Sequence, residues 1–363
     1  MRILQVITTL LTGGAENLVA QISPLMRDKG HDVEVACFVG ADSIFMKRLR
    51  EAGIKVHVIK VSGSVYDPRI VPELRALMKG FDVVHSHNTS AQYFTAIAGR
   101  GLDCKLVTTE HSTCNRRRNI PFFSRIDRWM YGKYSAVICI TDKARSNLME
   151  HIGQQKIPAV TINNGVDIES IGKTVASDEL RTALVGRKLI AQVAGFRPEK
   201  DQATTISGMR YLPERFHLLL VGDGPLRSEC EKLSVSEGVG DRVHFLGVRD
   251  DVPSVLKAVD YVVMSSKWEG LPLSAVEGMA AGKPVIASDV DGLKDVVGGA
   301  GILFEAGNGE DLSRRILSLD SDKDLYKATA ARCLAASKRY GIDRMVARYC
   351  EVYEALKSGK IPE

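Results

Sequence analysis

The sequence lacks the features that define several classes of protein. It has no run of about 18 apolar residues, the length that a membrane-spanning helix requires. Its seven cysteines are scattered and odd in number, without a Cys-x-x-Cys pair, which is typical of reduced cytosolic thiols and disfavours a disulfide framework or a zinc site. No Gly-x-Gly-x-x-Gly follows a predicted first strand, so a dinucleotide site has little support. No short repeat is present, which disfavours solenoids and propellers.

Length and composition predict a globular protein of two domains. The chain has 363 residues, of which 45% are hydrophobic and 26% charged. Residues 1–7 are apolar but too short for the hydrophobic region of a secretion signal, and we expect them to form the first strand. Residues 1–165 hold 22 lysines and arginines against 14 acidic residues, whereas the remainder holds 27 against 30. The basic first half therefore favours contact with an anionic partner.

Short β-branched runs alternate with amphipathic helical patterns along the chain. This alternation predicts the α/β class, with parallel sheets covered on both faces by helices. Strands are predicted at 2–7, 32–38, 55–59, 82–85, 105–109, 135–140, 158–162, 188–194, 216–221, 242–246, 260–264, 284–288 and 301–304. We expect a first domain at 1–168, a linker and hinge at 169–186, a second domain at 187–335, and amphipathic helices at 336–363.

The stretch from Glu269 to Gly282 carries the strongest local signal. Pro272 suits the first turn of a helix, and Gly282 suits its C′ position, with a proline just beyond. Glu269 then lies on the loop before the helix, and Glu277 about a turn and a half inside it. Side chains lean towards the N-terminus of a helix, so both carboxylates border one crevice. Backbone N–H groups expected to point there belong to Gly270, Leu271, Leu273 and Ser274.

Two carboxylates beside a helix N-terminus suit a ligand with a diphosphate in the middle and hydroxyls at both ends. A nucleotide sugar has this structure. The alternative is an ordinary α/β helix with a solvated glutamate at each end. Resemblance decides between the two: the seven-residue spacing, with Gly-Leu-Pro after Glu269 and Gly-Met-Ala-Ala-Gly-Lys-Pro-Val after Glu277, resembles glycosyltransferase family 4.

That resemblance implies the GT-B fold, two doubly wound, Rossmann-like domains facing across a cleft, and retention of the anomeric configuration. It implies that Glu277 binds the ribose diol and that Glu269 is a catalytic residue binding hydroxyls of the donor sugar. Asn163-Asn164-Gly165-Val166-Asp167, at the end of the first domain, resembles a further family motif. The family's C-terminal helices cross back to the first domain, and we expect the same of 336–363.

Three motifs of the first domain also resemble the family. Gly13-Gly14-Ala15-Glu16 follows the first strand, and its two glycines would let the backbone approach the donor or the acceptor. His85 and His87 lie on one face of a strand, as metal ligands could, but no third ligand stands out. The family has His-x-His here, which makes His87 a candidate for acceptor binding. His111 matches the family's Thr-x-His, so we predict a catalytic role for it beside the donor sugar, as a neutral or a protonated imidazole.

The loops of the second domain supply the expected diphosphate clamp. Arg197 and Lys200 follow its first strand, where a guanidinium fork and an ammonium suit phosphate oxygens. The family usually has an arginine at the place of Gly195, so Arg197 is expected to replace it. Gly222 and Val248 lie in two further family-like loops, the second of which borders the nucleobase.

The segment 111–133 is basic and aromatic. It contains six lysines and arginines and a single aspartate. Apolar residues recur at helical spacing, namely Phe122, Phe123, Ile126, Trp129, Met130 and Tyr134. No nucleic-acid module is recognisable. An interfacial helix that meets anionic lipid or a lipid-linked diphosphate is one interpretation, and a core helix with a solvated basic face is the other. If the helix is interfacial, we expect Arg116, Arg117 and Arg118 to bind the acceptor.

The sequence therefore predicts a retaining glycosyltransferase that needs no metal or cofactor. It would move a sugar from a nucleotide-diphosphate donor, with UDP expected from the family's bacterial members, to a glycan or lipid-linked acceptor of bacterial surface-polysaccharide synthesis. We expect a cytoplasmic protein at the inner membrane face. Asp289 and Asp291 form an Asp-x-Asp, the manganese motif of the GT-A fold, but are expected to be surface residues. The alternatives are a GT-B-like sugar-nucleotide epimerase, a non-catalytic nucleotide-sugar-binding subunit and, more weakly, a nicotinamide oxidoreductase.

Overall fold

A computed structural model of the chain describes residues 1–11, 13–40, 43–59, 64–111, 121–153 and 157–361. The chain divides into two compact units, one of residues 1–164 and 342–363 and the other of residues 165–341. The described strands are β1 (Arg2–Thr9), β2 (Asp32–Val39), β3 (Lys55–Val58), β4 (Val83–His87), β5 (Lys105–Glu110), β6 (Ala136–Cys139), β7 (Ala159–Thr161), β8 (Lys188–Val193), β9 (Phe216–Val221), β10 (Val243–Gly247), β11 (Tyr261–Met264), β12 (Val285–Ser288) and β13 (Ile302–Phe304).

Helices separate these strands along both units. They are α1 (Gly14–Asp28), α2 (Ile44–Glu51), α3 (Ile70–Met78), α4 (Thr89–Ala98), α5 (Pro121–Tyr131), α6 (Asp142–Ile152), α7 (Ile168–Lys173), α8 (Asp178–Ala183), α9 (Gln202–Gly208), α10 (Arg227–Ser236), α11 (Val252–Ala258), α12 (Leu273–Ala280), α13 (Leu293–Val297), α14 (Gly309–Ser321), α15 (Lys323–Ser337) and α16 (Ile342–Lys357). Within the described ranges, no helix combines the length and the apolar character needed to cross a membrane.

Each unit is built on one parallel sheet with a core on each face. The first sheet has the strand order β3-β2-β1-β4-β5-β6-β7, and the second has the order β10-β9-β8-β11-β12-β13. In β1, Ile3 and Ile7 belong to one core and Leu4 and Val6 to the other, as the period of two requires. This burial on both faces explains the nearly continuous apolar runs of the strands. The predicted α/β class with two doubly wound domains is confirmed.

The predicted linker at 169–186 is wrong. This segment contains α7 and α8, and their residues Ile171 and Leu180 are buried in the core of the second unit. The segment is therefore part of that unit. At the other end of the chain, α15 packs in the second unit, whereas Val346, Tyr349 and Tyr353 of α16 are buried in the core of the first.

Candidate active site

Both sheets reverse their strand order at one position. The reversal lies between β1 and β4 in the first unit and between β8 and β11 in the second. Ligands of open α/β sheets bind outside the carboxyl ends of the strands at such a switch point. The loops at these two positions carry most of the residues that the sequence singles out.

Helix α12 follows β11 and begins one residue later than predicted. Pro272 occupies the N-cap position and Leu273 is the first helical residue. The predicted end is confirmed, since Gly282 has φ +74°. The N–H of Lys283 donates to the carbonyl of Gly278 at 3.2 Å, the bond of a Schellman cap. The helix is thus fixed on the sheet with its N-terminus at the loop that precedes it.

That loop places Glu269 against Lys200. The Nζ atom of Lys200 lies 2.6 Å from Oε1 of Glu269, and the two side chains are 25% and 9% exposed. The hydroxyl of Ser266 donates to the same carboxylate oxygen at 2.7 Å. Partial burial strengthens the interaction of such charges with a ligand. The structure therefore brings a predicted catalytic residue and a predicted donor-binding residue together.

A buried polar network holds the loop that carries Lys200. Gln192, in β8, donates to the carbonyl of Lys200 at 3.0 Å and to the hydroxyl of Ser265 at 2.9 Å. The side-chain oxygen of Gln192 accepts a bond from Thr205 at 2.7 Å. Asp201, which follows Lys200, has φ +47°, and its carbonyl accepts a bond from Ser265 at 2.8 Å. Such a left-handed residue costs about 1–2 kcal/mol, which the surrounding bonds offset.

Glu277 lies one turn inside α12 and is half-buried. Its carboxyl group has no hydrogen-bond partner among the described residues, and burial raises its pKa to about 7. A buried acid without a partner favours its neutral form because the charged form loses hydration. A ligand that donates hydrogen bonds to this carboxyl would restore the lost stabilisation.

The amide groups expected at the helix N-terminus are only partly available. The N–H of Leu273 donates to the carbonyl of Leu271 at 3.0 Å, so its predicted contact with a ligand is wrong for this conformation. The N–H groups of Gly270, Leu271 and Ser274 make no hydrogen bond to any described residue. Three unpaired amides at a helix start still form a region of positive potential.

Arg197 lies beside Gly195 at the end of β8. The side chain of Arg197 is exposed, and its Nε lies 3.9 Å from the point that a Cβ atom on Gly195 would occupy. An arginine at 195 would begin at this point. That Arg197 takes the place of the family's arginine stays a prediction.

The loops after β9 and β10 adjoin the same edge of the second sheet. Gly222 has φ +134°, and a Cβ atom there would lie 2.2 Å from the carbonyl oxygen of Ala194, so the position requires glycine. The N–H of Gly222 donates to the carbonyl of Gly247 at 2.8 Å. Val248, the next residue, is 80% exposed. The predicted donor-binding residues Gly222 and Val248 thus lie on adjacent loops.

The Asp-x-Asp segment lies on a turn that packs against the Glu269 loop. Asp289 and Asp291 are exposed, and Asp289 lies 3.4 Å from Nζ of Lys294. Within the described part of the chain, no group of three histidine, cysteine, aspartate or glutamate residues is placed to hold a metal ion. Gly292 has φ +81°, and a Cβ atom there would lie 2.4 Å from the carbonyl oxygen of Glu269. The turn therefore supports the backbone of that loop.

Three histidines meet at the switch point of the first unit. His87 lies 3.1 Å through Nδ1 from Nε2 of His111, and 2.8 Å through Nε2 from Oε1 of Gln5. The rings of His85 and His87 stack with centroids 4.3 Å apart. His87 is 0% exposed and offers no surface to an acceptor, so the structure does not support the predicted direct contact. Its position instead makes it a support for His111.

The three imidazoles are neutral at pH 7. Burial lowers the pKa of His111 to about 4. Burial, and then the neighbouring rings, hold the pKa values of His85 and His87 well below the ordinary value. Desolvation penalises the charged form of an imidazole, and within the described ranges no carboxylate is hydrogen-bonded to any of the three rings to offset it. Of the two states open for His111, the structure selects the neutral one.

The glycines after β1 position Glu16. Gly14 begins α1 and Gly13 caps it, and a Cβ atom on Gly13 would lie 2.2 Å from Oε2 of Glu16. The other oxygen of Glu16 accepts a bond from Nδ2 of Asn88 at 3.2 Å. Asn88 follows His87 and has φ +69°. Strained backbone of this kind clusters at functional sites.

Helix α5 divides the basic and aromatic segment between core and surface. Met130 is buried, and Trp129 is 41% exposed with Nζ of Lys133 at 5.8 Å from its ring centre. Asp127 is the only acidic residue of 111–133, and it lies buried 2.8 Å from Nε2 of His151. The exposed charge of the helix is therefore basic, as Arg125 and Arg128 also show.

Some residues of interest were not found by the sequence analysis, and others cannot be placed. Arg116, Arg117 and Arg118 lie in 112–120, outside the described residues. Gln5 and Gln192 were missed, although each is a polar residue inside an apolar strand pattern. Because a buried amide has to be hydrogen-bonded, such an interruption is a usable signal.

Comparison with known proteins identifies the family to which the two units are similar. Residues 12–170 match the family model described as Glycosyltransferase Family 4, and residues 180–333 match the model described as Glycosyl transferases group 1. The phosphatidyl-myo-inositol mannosyltransferase of Mycolicibacterium smegmatis is 27% identical, over 96% of this chain and 92% of that protein. The UDP-Gal:alpha-D-GlcNAc-diphosphoundecaprenol alpha-1,3-galactosyltransferase of Escherichia coli is 24% identical, over 68% of each.

Solved structures share the fold. HepE of Anabaena, crystallised in complex with UDP, superposes with a TM-score of 0.82 at 24% identity, over 98% of this chain and 100% of that chain. A glycosyltransferase from Rickettsia africae gives a TM-score of 0.79 at 18% identity, over 98% of both chains. Since one or other family model covers most of each unit, and the structural likeness runs along nearly the whole chain, the protein belongs to glycosyltransferase family 4 and has the GT-B fold.

Proposed function

We propose that the protein is a retaining, metal-independent glycosyltransferase that moves a hexosyl or N-acetylhexosaminyl group from a UDP-sugar to a hydroxyl of a lipid-linked or glycan acceptor. The observation that carries the proposal is the pairing of Lys200 with Glu269 beside the start of α12, with Glu277 one turn further. One edge of the second unit thus combines a cation, unpaired amides and two carboxylates. These groups suit a diphosphate with a hydroxylated ring on either side.

The leaving diphosphate is stabilised by Lys200, by Arg197 and by the amides of Gly270, Leu271 and Ser274. These groups are in place before the reaction, and preorganised donors stabilise charge that develops in the transition state. They supply the positive charge that a metal ion would otherwise provide. Glu277 accepts hydrogen bonds from the ribose diol. UDP is favoured as the nucleotide because HepE binds it and because the galactosyltransferase of Escherichia coli is named for a UDP-sugar.

Glu269 and His111 act on the donor sugar. Glu269 accepts bonds from sugar hydroxyls while it orients Lys200. His111 contacts the sugar from the first unit, as the family resemblance implies. With no second carboxylate nucleophile evident in the first unit, we favour attack of the acceptor on the same face as the departing diphosphate.

The acceptor is proposed to reach the enzyme at an anionic membrane surface on the cytoplasmic side. The support is the exposed basic face of α5, with Trp129 beside Lys133 and with Asp127 buried. One Lys or Arg near an anionic surface is worth about 1 kcal/mol, and the tryptophan adds an apolar contribution. The two relatives named above act on a phosphoinositide and on an undecaprenol-linked sugar by their names.

Calorimetry with UDP-, GDP- and ADP-sugars tests the donor assignment. We expect a UDP-sugar to bind, and Lys200→Met to weaken binding by about 1.5–3 kcal/mol because a charge-assisted bond is lost. Lys267→Met is the matched control, since Lys267 is exposed and does not contact Glu269. Equal affinity of the two variants would contradict the assignment of Lys200.

Product analysis tests the reaction. We expect the anomeric configuration of the transferred sugar, read by NMR, to match that of the donor. An inverted product would contradict retention. A changed sugar nucleotide formed without any acceptor would identify an epimerase instead.

Vesicle co-sedimentation at low and high salt tests the membrane contact. We expect replacement of Arg116, Arg117 and Arg118 with serine to reduce binding to anionic vesicles and transfer to a lipid acceptor, with nucleotide binding unchanged. The control replaces the exposed Lys323, Lys327 and Lys338 of the second unit with serine and removes the same charge. If wild type and both variants sediment alike, the membrane contact is refuted.

A further inference from the structure

The hydrogen bonds under His111 fix which of its ring nitrogens carries the proton. We infer that Gln5 is a positioning residue that holds His111 as the Nε2–H tautomer, so that Nδ1 faces the substrate as a hydrogen-bond acceptor. The inference rests on the proposed function in one respect, namely that the donor sugar is the group that Nδ1 meets.

The argument starts from the orientation of the Gln5 amide. Its Oε1 lies 2.8 Å from Nε2 of His87, and its Nε2 lies 3.5 Å from the sulfur of Met26. If the amide were rotated, its oxygen would face the thioether sulfur and its NH2 group would face His87. Sulfur accepts a hydrogen bond but cannot donate one, so the observed orientation is the one that satisfies the amide.

Gln5 then determines the tautomer of His87. Its amide oxygen can only accept, so Nε2 of His87 has to donate. The His87 ring is 0% exposed, and both of its hydrogen-bond partners, Gln5 and His111, are uncharged groups. A buried imidazole in such surroundings is neutral and carries one proton. Nδ1 of His87 is consequently an acceptor.

The acceptor role of His87 Nδ1 in turn determines the tautomer of His111. Its Nε2 lies 3.1 Å from Nδ1 of His87, and because that atom accepts, Nε2 of His111 donates. The neutral ring has no second proton, so Nδ1 of His111 presents a lone pair. This nitrogen has no hydrogen-bond partner among the described residues.

A second histidine supports the ring of His87. Nδ1 of His85 lies 2.5 Å from the hydroxyl of Tyr353, and its Nε2 lies 2.8 Å from the hydroxyl of Thr109. The ring of His85 is thereby held against that of His87, with centroids 4.3 Å apart. Tyr353 lies on α16, so this helix helps to hold the stacked rings.

The consequence for the substrate is specific. His111 accepts a hydrogen bond from a sugar hydroxyl and does not donate one. A fluorine at that sugar position accepts but cannot donate, and it should therefore fail to replace the hydroxyl. His111 also serves poorly as a proton donor to the leaving group.

Nitrogen-15 NMR of the histidine rings tests the inference without any assay of transfer. The sequence contains eight histidines, and His111→Gln identifies the resonances of His111. We expect the wild-type ring to be protonated at Nε2 and bare at Nδ1. In Gln5→Glu, the carboxylate should make His87 an imidazolium that donates through Nδ1 and should switch His111 to the Nδ1–H tautomer. Ile7→Val, a control on the same face of β1, should leave the tautomer unchanged.

Two results would overturn the inference: an Nδ1–H tautomer of His111 in the wild type, or an unchanged tautomer in folded Gln5→Glu. If that variant does not fold, the wild-type spectrum decides by itself. With the tautomer switched, kcat/KM for the UDP-sugar should fall about fivefold, the effect of one neutral hydrogen bond. A switched tautomer with unchanged transfer would support the role of Gln5 and refute the proposed contact between His111 and the sugar.

Discussion

Donor binding should depend on pH through Glu277. Burial raises the pKa of its carboxyl to about 7, so the group is half ionised at neutral pH in the unliganded protein. The ribose diol donates two hydrogen bonds, and the carboxylate accepts both better than the protonated acid does. Binding therefore favours the ionised form, and affinity should rise as the pH rises through 7.

The size of the effect follows from the ionised fraction. With a pKa of about 7, about one eleventh of the carboxyls are ionised at pH 6 and about ten elevenths at pH 8. If the complex holds the ionised form throughout, affinity increases about tenfold over this range, or about 1.4 kcal/mol. At pH 7, binding should release about half a proton.

Calorimetry with UDP-glucose at pH 6, 7 and 8, in buffers of different ionisation enthalpy, measures both quantities. The diphosphate of a UDP-sugar is esterified at both ends and does not titrate in this range, whereas free UDP does. Glu277→Gln is the control, and its affinity should be lower and independent of pH. If wild type and Glu277→Gln show the same slope with pH, the role given to Glu277 is refuted.

The remaining predictions concern stability, the Glu269 loop and metal. Burial of Glu277 penalises its charged form in the folded state and raises its pKa from 4.5 to about 7. The midpoint of thermal unfolding should therefore fall as the pH rises from 4.5 to about 7 in the wild type, and it should fall less in Glu277→Gln. Gly292→Ala should destabilise the protein and weaken donor binding, because its Cβ would lie 2.4 Å from the Glu269 carbonyl. Gly299→Ala, with φ +77° and no atom within 4 Å, should cost only the left-handed strain of about 1–2 kcal/mol; equal losses in denaturant melts would count against the packing argument. Sugar transfer should continue in the presence of EDTA. A loss of activity that manganese restores would instead indicate a metal site at Asp289 and Asp291.

The strands were predictable because their signal is local. Each of the thirteen described strands lies within two residues of a predicted one at both ends. Alternating or continuous apolar residues report burial on a sheet directly. The linker was mispredicted because α7 and α8 have six residues each, too short to show a helical period.

Only those site residues that lie within a recognisable sequence motif could be predicted. The spacing around Glu269 and Glu277 located α12, but nothing local indicates that Lys200, 69 residues away, pairs with Glu269. The role of Gln5 depends on its contact with His87, which is 82 positions away in the sequence. Hydrogen-bond direction in a buried network is a property of the assembled fold, and no single stretch of sequence contains it.

The placement of α16 has a consequence for synthesis of the chain on the ribosome. Val346, Tyr349 and Tyr353 complete a core that otherwise consists of residues from the first half of the chain. A protein usually folds its N-terminal domain first as it emerges. Here the N-terminal unit leaves the ribosome with part of one apolar face of its sheet uncovered, because α1 and α2 cover the rest of that face. This part stays open until the whole intervening unit, 165–341, has been made. The nascent chain therefore has to hold an incomplete sheet soluble while a second one forms, and a frameshift near the 3′ end of the gene would damage the part of the protein that is translated first.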